Sequence, residues 1–355
     1  MQIVTVKGVA IESVFACIPE NRIDNLAACN KLYGDSAADI VKSVGMDYRC
    51  LATAGVSSLD LCVMAGKKLL DGQYGLKEEI GAIVCVTFTP DQLMPANAIA
   101  AQAALGLDND VMAFDLNLAC SGYGYGLWLA GSMAVQLGKS VLLLDGDVQS
   151  AYTSPYDKGP MPVMADAGTA TLVRCSANSI EWNFTFYTDG TNRKALGIPA
   201  GGSKRPTKVS DLEYIEYPDG SKRREIDIAM DGFEIFKFVA QTVSKELKAF
   251  LDALLFSPEK IDGFVPHQAN IYMIKQLARK IGISNEKVWI SGDKYGNSAS
   301  ASIPVTIASE FSKKRMQKGG TRVLFSGFGA GLSISAGVVE LSDSLRCCLF
   351  TYGEG

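Results

Sequence analysis

The stretch Gly138-Lys139-Ser140-Val141-Leu142-Leu143-Leu144-Asp145-Gly146 returns in the second half of the chain as Gly320-Thr321-Arg322-Val323-Leu324-Phe325-Ser326-Gly327. In both places an apolar β-rich run follows a strand-like run, a small-residue loop and a helix-like segment. Self-similarity of this kind indicates an internal repeat, so we interpret the chain as a duplication at low sequence similarity.

Strand-like and helix-like segments alternate on either side of the two copies. The predicted strands are 83–87, 111–116, 141–144 and 169–174 in the first half, and 262–265, 287–290, 322–325 and 332–339 in the second; the predicted helices of the second half are 271–281 and 299–313. This alternation is typical of an α/β fold in which helices cover the sheets.

The repeat and the composition divide the chain into four parts. We predict an N-terminal half at 1–180, a connecting and inserted loop region at 181–225, a C-terminal half at 226–342 and a tail at 343–355. The charged part 204–224 is interpreted as a solvent loop, with a lid as the alternative. The tail carries no readable chemistry, and its composition is compatible with disorder.

The overall composition excludes several classes of function. With 48% hydrophobic residues among 355, the chain can bury a large core, and its net charge of -4 offers no basic field for nucleic acid. It contains no apolar run of the roughly 18 residues that span a bilayer and no signal-peptide pattern, so we expect a cytoplasmic location. Its glycine-rich runs lack a dinucleotide fingerprint, so no nicotinamide or flavin is expected.

Cysteine is abundant, but its spacing does not predict a metal site. The nine cysteines form no C-x-x-C pair and do not cluster with the single histidine. Most are expected to be buried, reduced thiols. Cys120 differs, because it lies between the buried run 111–116 and a helix-like segment that begins near Gly122. The positive end of that helix favours a thiolate, which makes Cys120 a candidate nucleophile, with a buried cysteine in a tight turn as the alternative.

Two further segments contain groups that could work with such a thiol. His267, the only histidine, follows the apolar strand-like run 262–265 in Pro266-His267-Gln268-Ala269-Asn270. Asn297 lies in the small-residue loop Tyr295-Gly296-Asn297-Ser298-Ala299-Ser300, before a helix. We expect the duplication to place Cys120 and Asn297 at equivalent positions. The alternatives are a packed histidine and an asparagine that forms a turn or helix cap.

Together these segments resemble a known family. Ala119-Cys120-Ser121-Gly122, Pro266-His267-Gln268-Ala269-Asn270 and Tyr295-Gly296-Asn297-Ser298-Ala299-Ser300 are similar to the cysteine, histidine and asparagine motifs of β-ketoacyl-acyl carrier protein synthase III. Met230-Asp231-Gly232-Phe233-Glu234-Ile235-Phe236-Lys237-Phe238 and Gly327-Phe328-Gly329-Ala330-Gly331 also resemble family motifs, in the family's order. The resemblance implies a thiolase-like fold, which is a duplicated αβαβα five-layered sandwich, and a homodimer.

The resemblance also implies a decarboxylating Claisen condensation. An acyl thioester primer would acylate Cys120, and the acyl group would then condense with malonyl-acyl carrier protein, with loss of CO2, to give a β-ketoacyl thioester. Backbone N–H groups of Cys120 and Gly329 would form the oxyanion hole. His267 and Asn297 would stabilise the enolate through side-chain N–H groups, which requires a hydrogen on the histidine nitrogen that faces the thioester.

Two other functions stay open. One is an acyltransferase of the same fold that moves an acyl group from Cys120 to an alcohol or amine without decarboxylation. The other is a noncatalytic scaffold or carrier-binding module, against which the joint presence of cysteine, histidine and asparagine argues. Release of CO2 from a malonyl thioester separates the first two possibilities.

Further residues are assigned only through the resemblance. Phe236 and Phe328 match the acyl and pantetheine channel, Met94 matches a position that shapes the acyl pocket across the dimer, and Gly232 and Asn270 belong to matched substrate-binding motifs. Lys237, Lys275, Arg279 and Lys280 would form a basic patch that docks the acidic acyl carrier protein. Their alternatives are aromatic core packing and an ordinary solvated helix face.

Three positions depart from the family pattern. Asp39 and Ser43 stand where many members carry a tryptophan and an arginine that hold the adenine of coenzyme A, and Tyr272 replaces a family arginine. We expect no bound cofactor, since coenzyme A or carrier-protein phosphopantetheine thioesters would be substrates. The loss of the stacking ring and the cation favours a primer delivered by a carrier other than coenzyme A.

Overall fold

The computed structural model describes residues 1–176, 181–314 and 320–353, which form two large sheets with helices on both sides of each. The strands are β1 (Val4–Val6), β2 (Val9–Ile18), β3 (Arg22–Asp24), β4 (Tyr48–Cys50), β5 (Ile80–Val86), β6 (Met112–Leu116), β7 (Ser140–Asp147), β8 (Ala167–Cys175), β9 (Trp182–Thr188), β10 (Leu196–Gly197), β11 (Ile215–Glu216), β12 (Lys222–Arg223), β13 (Ala229–Met230), β14 (Gly263–Pro266), β15 (Thr321–Gly329), β16 (Ser333–Leu341) and β17 (Arg346–Thr351). The helices are α1 (Asn25–Tyr33), α2 (Ala37–Val44), α3 (Ser58–Leu70), α4 (Leu76–Glu79), α5 (Asn97–Leu105), α6 (Gly122–Leu137), α7 (Gly232–Lys237), α8 (Ser244–Ala253), α9 (Ile271–Lys280), α10 (Gly292–Tyr295) and α11 (Ser302–Lys314). No helix in these three ranges combines the length and apolar character needed to cross a membrane.

The order of the strands confirms the internal duplication. The first sheet has the order β17-β2-β8-β7-β5-β6, and the second has the order β1-β9-β16-β15-β14. Strands β2, β8, β7 and β5 therefore occupy the same places as β9, β16, β15 and β14. The pairing directions agree as well, because β5–β7 and β14–β15 are parallel while β7–β8 and β15–β16 are antiparallel.

The helices complete five layers. Helices α6 and α11 contact both sheets and form the central layer, whereas α3 covers the outer face of the first sheet. Strand β14 and helices α8 and α9 belong to one apolar cluster with the outer face of the second sheet. Gly124 of α6 allows the close approach in the centre, since a Cβ atom there would lie 2.3 Å from Oγ of Ser335. The predicted αβαβα sandwich is confirmed.

One predicted strand, 287–290, is wrong. Only Val288 pairs, in an isolated parallel bridge with Phe264, and a 3₁₀ turn occupies Asn285–Lys287. The side chain of Ser284 caps this turn, and Oε1 of Gln268 accepts from the backbone N–H groups of Ser291 and Gly292. These bonds use backbone groups that a longer strand would need for pairing. At the edge of the second sheet, a single bridge at Val288 therefore stands where β6 stands at the edge of the first sheet.

The two ends of the chain cross between the halves, which corrects the predicted boundaries. Strand β1 pairs with β9 in the second sheet, and β17 pairs with β2 in the first. Strand β9 itself lies within the region predicted as connecting loop, 181–225. The predicted boundary at 180 and the last two residues of the predicted tail, 354–355, lie outside the described residues.

The tail prediction is wrong over residues 346–351, because these form β17. Its residues pair in register with 13–18 of β2, and the side chain of Phe350 is buried among apolar residues of α3 and the first sheet. The ammonium group of Lys68 lies 4.3 Å from the centre of the Phe350 ring. An unpaired edge of β2 and an apolar site for Phe350 explain why this short segment is ordered.

Replacing Phe350 by alanine should therefore destabilise the fold. The change removes a ring that is 6% exposed and leaves a cavity, for which we expect a loss of about 3 kcal/mol in the free energy of unfolding. Urea unfolding followed by circular dichroism measures this loss. Ser344→Ala, an exposed change in the same segment, is the matched control and should cost less than about 0.5 kcal/mol; equal stability of both variants would mean that β17 is not docked.

The inserted part 204–224 is a surface loop with several ion pairs. Arg205 forms ion pairs with Asp211 and Glu225, and Arg223 pairs with Asp157. The pairs of Arg205 lie within or beside the loop. Asp157 is a buried residue outside it, and the Lys222 N–H also donates to the Tyr156 carbonyl, so these two contacts attach the loop to the protein body.

Candidate active site

The chain bends in the same unusual way at the start of the two central helices. Ala119 has φ 41° and Ala299 has φ 50°, and each begins a 3₁₀ turn that leads into α6 or α11. Left-handed conformations are rare for alanine, so their recurrence aligns the two halves residue by residue. Cys120 is thus equivalent to Ser300, and Asn297 is equivalent to Asn117. The predicted equivalence of Cys120 with Asn297 is wrong by three residues.

Cys120 lies at the inner end of this turn, against the loop that follows β15. The residue is 9% exposed, and a Cβ atom at Gly329 would lie 3.0 Å from its sulfur. The backbone N–H groups of Cys120 and Ala330 act on the sulfur and lower the pKa of the thiol. Ser333 anchors the loop, because its Oγ donates to the Ala330 carbonyl over 2.7 Å. The sulfur therefore lies near two backbone N–H groups. It also packs so closely on residue 329 that a side chain there would collide with it.

The ionisation of Cys120 contradicts the prediction of a thiolate. Burial, and to a lesser extent the buried carboxyl of Asp147, raise the pKa of this thiol to about 12 against a lowering effect of the two backbone N–H groups. The effect of the helix end is local and small, whereas burial in a low-dielectric core acts on the whole charge. In the resting protein the nucleophile candidate is a neutral thiol.

Alkylation of Cys120 should consequently be slow at neutral pH. With a pKa near 12, the thiolate fraction rises about tenfold for each pH unit, so the iodoacetamide rate constant should climb from pH 7 to pH 10 without a plateau. Peptide mass spectrometry follows the modified Cys120 separately from the exposed Cys175. A plateau below pH 8 would show that the thiol is activated in the free protein.

His267 begins the loop after β14 and is held on one side only. Its backbone N–H donates to the Ser326 carbonyl, and its Nδ1 lies 2.9 Å from the Ala299 carbonyl and 2.8 Å from Oγ of Ser302. The Phe328 ring meets the imidazole edge to face, with 5.5 Å between ring centres. Burial lowers the pKa of His267 to about 4, against a smaller raising effect of the Ala299 carbonyl, so the ring is neutral at pH 7.

The side chain of Asn297 is oriented by a single hydrogen bond. Its Oδ1 accepts from the backbone N–H of Ala299 over 3.0 Å, which leaves the Nδ2 hydrogens as the free end of the amide. The Asn297 backbone is fixed as well, since its N–H donates to the Val163 carbonyl and its carbonyl accepts from the Ala165 N–H. Asn297 is thus a turn-former, as the alternative proposed, and also presents an amide donor that cannot titrate.

Short contacts link the three predicted side chains. The Cys120 sulfur packs on Gly329, and the adjacent Phe328 contacts His267. The backbone carbonyl of Ala299 contacts His267, and its backbone N–H donates to Asn297. The thiol of Cys120, Nε2 of His267 and the amide Nδ2 group of Asn297 are therefore grouped near the end of β15 and the starts of α6 and α11. Within the described ranges, no three histidine, cysteine or acidic side chains are arranged to hold a metal ion.

Several important residues were missed by sequence reasoning. Ser302 binds Nδ1 of His267, Ala330 supplies the second backbone donor to Cys120, and Gln268 ties the histidine loop to Ser291 and Gly292. The bond of Ser302 to the Ala299 carbonyl, three residues earlier, is local and could have been predicted from a serine at a helix start. The contacts of the other two depend on the fold.

The predicted substrate residues lie in different environments. Phe328 is buried against His267, whereas Phe236 is 46% exposed and Met94 is 80% exposed. Gly232 begins α7 in open space, and Oδ1 of Asn270 caps α9 through the N–H of Met273. Phe328 therefore belongs to the site itself, Phe236 lies at the protein surface, and Asn270 has a structural function at the helix start.

The predicted docking patch is divided between two faces of α9. Lys280 borders one surface hollow together with Phe236, Tyr272 and Met273. Lys275 and Arg279 instead border a different hollow, next to Asn285 and Lys314. Lys237 lies on α7 and pairs with Glu234. The four basic residues consequently do not form one continuous patch, because positions 275 and 279 point away from positions 276 and 280 on the helix.

Helix α2 packs beside α9 and carries the two departures noted above. Asp39 and Ser43 are both exposed, and Oγ of Ser43 donates to the Ile40 carbonyl. Tyr272 on α9 is 56% exposed. This part of the surface therefore offers a carboxylate, a hydroxyl and a phenol in place of a stacking indole and two guanidinium groups.

Comparison with known proteins agrees with this geometry. Residues 114–190 match the 3-oxoacyl-[acyl-carrier-protein] synthase III family, and residues 251–341 match its C-terminal part. The β-ketoacyl-[acyl-carrier-protein] synthase III of Aliarcobacter butzleri is 33% identical over 341 residues, which cover 95% of this chain and 99% of that protein. The synthase of the same name from Rhodopirellula baltica is 32% identical over 350 residues, covering 92% and 96%.

Solved structures give the same result. The 3-oxoacyl-(acyl-carrier protein) synthase of Burkholderia xenovorans LB400 superimposes with a TM-score of 0.90 at 32% identity and covers 99% of both chains. The priming β-ketosynthase of the R1128 polyketide pathway has a TM-score of 0.81 at 22% identity, covering 97% of this chain and 99% of that one, and shares the fold.

Proposed function

Because the chain belongs to the 3-oxoacyl-[acyl-carrier-protein] synthase III family, and is therefore a condensing acyltransferase, we propose that Cys120, His267 and Asn297 carry out its two half-reactions. Cys120 takes an acyl group from a thioester primer. The acyl group then condenses with malonyl-acyl carrier protein, CO2 is released, and a β-ketoacyl thioester leaves. The observation that carries this assignment is the pair of backbone N–H groups, of Cys120 and Ala330, directed at one buried sulfur.

Acyl transfer creates an oxyanion next to the sulfur. Two aimed donors in a site that excludes water stabilise such a charge strongly. The resemblance assigns the second donor to Gly329, and the adjacent backbone N–H of Ala330 acts on the sulfur itself, where it lowers the pKa of the Cys120 thiol. In this proposal the N–H groups of Cys120 and Gly329 bind the oxyanion, and the lack of a side chain at Gly329 leaves space beside the sulfur.

Decarboxylation of the malonyl group creates an enolate oxygen, which needs donors that do not protonate the carbanion. The Nδ2 group of Asn297 is suited to this, because its Oδ1 is held by Ala299 and an amide does not titrate. His267 lies on the other side of the Ala299 peptide and is the second group near the enolate.

We assign the substrates as thioesters of coenzyme A or of carrier-protein phosphopantetheine, with no resident cofactor. The exposed side chains at Asp39, Ser43 and Tyr272 favour a primer on a carrier protein over one on coenzyme A. Lys280, which borders the same hollow as Phe236, is the basic residue best placed to receive an acidic carrier protein at this surface, and Lys237 lies next to Phe236 in the sequence of α7.

The working unit in this proposal is a homodimer. Leu93, Met94, Ile99 and Met112 are apolar and between 49% and 95% exposed in the single chain, and Met112 belongs to the edge strand β6. Covering these residues with a second copy would bring Met94 to the acyl pocket of the partner, as the resemblance implies.

The test is a turnover experiment with a panel of acyl thioesters and malonyl-acyl carrier protein. We expect an acyl mass on Cys120 after primer alone, and one CO2 released for each β-ketoacyl product after malonyl addition. Acyl transfer to an alcohol or amine without CO2 would favour the alternative acyltransferase. An unchanged protein mass across the whole panel would contradict both enzymatic functions.

A further inference from the structure

The backbone of a single residue, Ala299, orients both candidate activating side chains. Its N–H donates to Oδ1 of Asn297 over 3.0 Å, and its carbonyl lies 2.9 Å from Nδ1 of His267. The left-handed conformation of Ala299, with φ 50°, lets the two ends of one short turn point at two different side chains. The orientation of these side chains is therefore coupled through one residue that carries no reactive group.

The contact with the carbonyl decides which nitrogen of His267 carries the hydrogen. A carbonyl oxygen can only accept, so a nitrogen at 2.9 Å from it must donate. The opposite tautomer would set the lone pairs of Nδ1 and of the carbonyl oxygen against each other. The neutral ring consequently carries its hydrogen on Nδ1, and Nε2 has a lone pair.

Ser302 strengthens this arrangement. Its Oγ donates to the same Ala299 carbonyl over 2.7 Å and accepts from the Gln268 backbone N–H over 3.2 Å. Because its hydrogen is used by the carbonyl, Oγ faces Nδ1, 2.8 Å away, as a second acceptor. Two acceptors thus share the Nδ1 hydrogen, and the hydroxyl of Ser302 is buried among groups that all fix its direction.

We propose that Ala299 and Ser302 are positioning residues that hold neutral His267 with its hydrogen on Nδ1, so that Nε2 faces the reacting thioesters as a proton acceptor. This inference rests on the proposed function for its chemistry, but not for its geometry. It corrects the expectation that the nitrogen facing the thioester carries a hydrogen in the resting protein.

The proton then follows a closed path through the two half-reactions. As the C–S bond to Cys120 forms, the S–H bond breaks and its proton moves to Nε2, while the primer's thiolate leaves and takes a proton from water. The ring now has hydrogens on both nitrogens, and Nε2–H donates to the malonyl thioester oxygen as CO2 departs. When the enolate carbon attacks the acyl group, the C–S bond breaks and the sulfur takes the proton back from Nε2.

The first test needs no substrate and no variant. His267 is the only histidine, so ¹⁵N-labelled protein without a histidine tag gives one pair of imidazole nitrogen signals. At pH 7 we expect Nδ1 to show the shift of a protonated nitrogen and Nε2 that of a nitrogen with a lone pair. A hydrogen on Nε2 would overturn the proposal, whether or not the protein condenses thioesters.

The second test measures the contribution of Ser302. Ser302→Ala should give a mixture of tautomers and slow the acylation of Cys120 roughly tenfold, as removal of a group that orients a reacting side chain does, while Ser302→Thr should restore both. Ser309→Ala, which removes a hydroxyl of the same helix that bonds to the Thr306 carbonyl and to Glu310, is the matched control and should stay within about twofold of the original rate. Unchanged tautomer and rate in Ser302→Ala would remove Ser302 from the proposal. A protein that acylates no thioester at all would contradict the proposed function, while the nitrogen spectrum would still decide the tautomer.

Discussion

Cys120→Ala is expected to abolish both self-acylation and condensation. No other group in the site can form the thioester intermediate, so the condensation rate should fall on the order of 10⁴-fold or more. The reason is structural as well as chemical, because the two backbone N–H groups are aimed at the position of this sulfur and at no other nucleophile. Intact-mass spectrometry after incubation with acyl thioesters reports the first effect, and product formation reports the second.

The exposed thiol of Cys175 provides the matched control for this variant. Cys175→Ala should acylate and condense like the unchanged protein, because its sulfur lies away from the site and donates to the Ala134 carbonyl. If acylation persisted in Cys120→Ala and disappeared in Cys175→Ala, the nucleophile would be Cys175 and the assignment to Cys120 would be wrong.

Asn297→Ala should separate the two half-reactions. Cys120 should still accept an acyl group, since its oxyanion donors are backbone groups, whereas malonyl decarboxylation should slow roughly 10²- to 10³-fold with the loss of one donor to the enolate. Release of labelled CO2 from malonyl-acyl carrier protein measures the loss, and the intact mass of the acyl-enzyme measures the step that is retained.

An exposed asparagine tests the specificity of that result. Asn285→Ala lies in the 3₁₀ turn before Val288 and should leave both steps unchanged. If Asn297→Ala lost acylation and kept decarboxylation, the amide would act on the primer, and its assigned role would be wrong.

The parts of the site that could be predicted from sequence are those with local causes. A buried run followed by a helix start placed Cys120, and an apolar strand placed His267 at its carboxyl end. The register of the duplication could have been found too, because Asn117-Leu118-Ala119-Cys120 matches Asn297-Ser298-Ala299-Ser300 letter for letter at two positions. Pairing Cys120 with Asn297, because both are reactive side chains, shifted the alignment by three residues.

The errors arose where distant segments decide the outcome. The pKa of Cys120 follows burial by strands and loops far along the chain, which outweighs the nearby helix end. The order of residues 346–351 depends on the open edge of β2, more than 300 positions earlier. The hydrogen on His267 depends on a carbonyl 32 residues away. None of these causes has a local pattern that a single sequence displays.

The exchange of terminal strands between the two sheets has a consequence for synthesis on the ribosome. The outer strand of the first sheet is β17, so β2 keeps an unpaired edge until residues 346–351 have left the exit tunnel. An open β edge invites pairing with other nascent chains. The half that is translated first is therefore the half whose sheet completes its hydrogen bonds last. A chain released before residues 346–351 are made would expose the edge of β2 and be prone to aggregation.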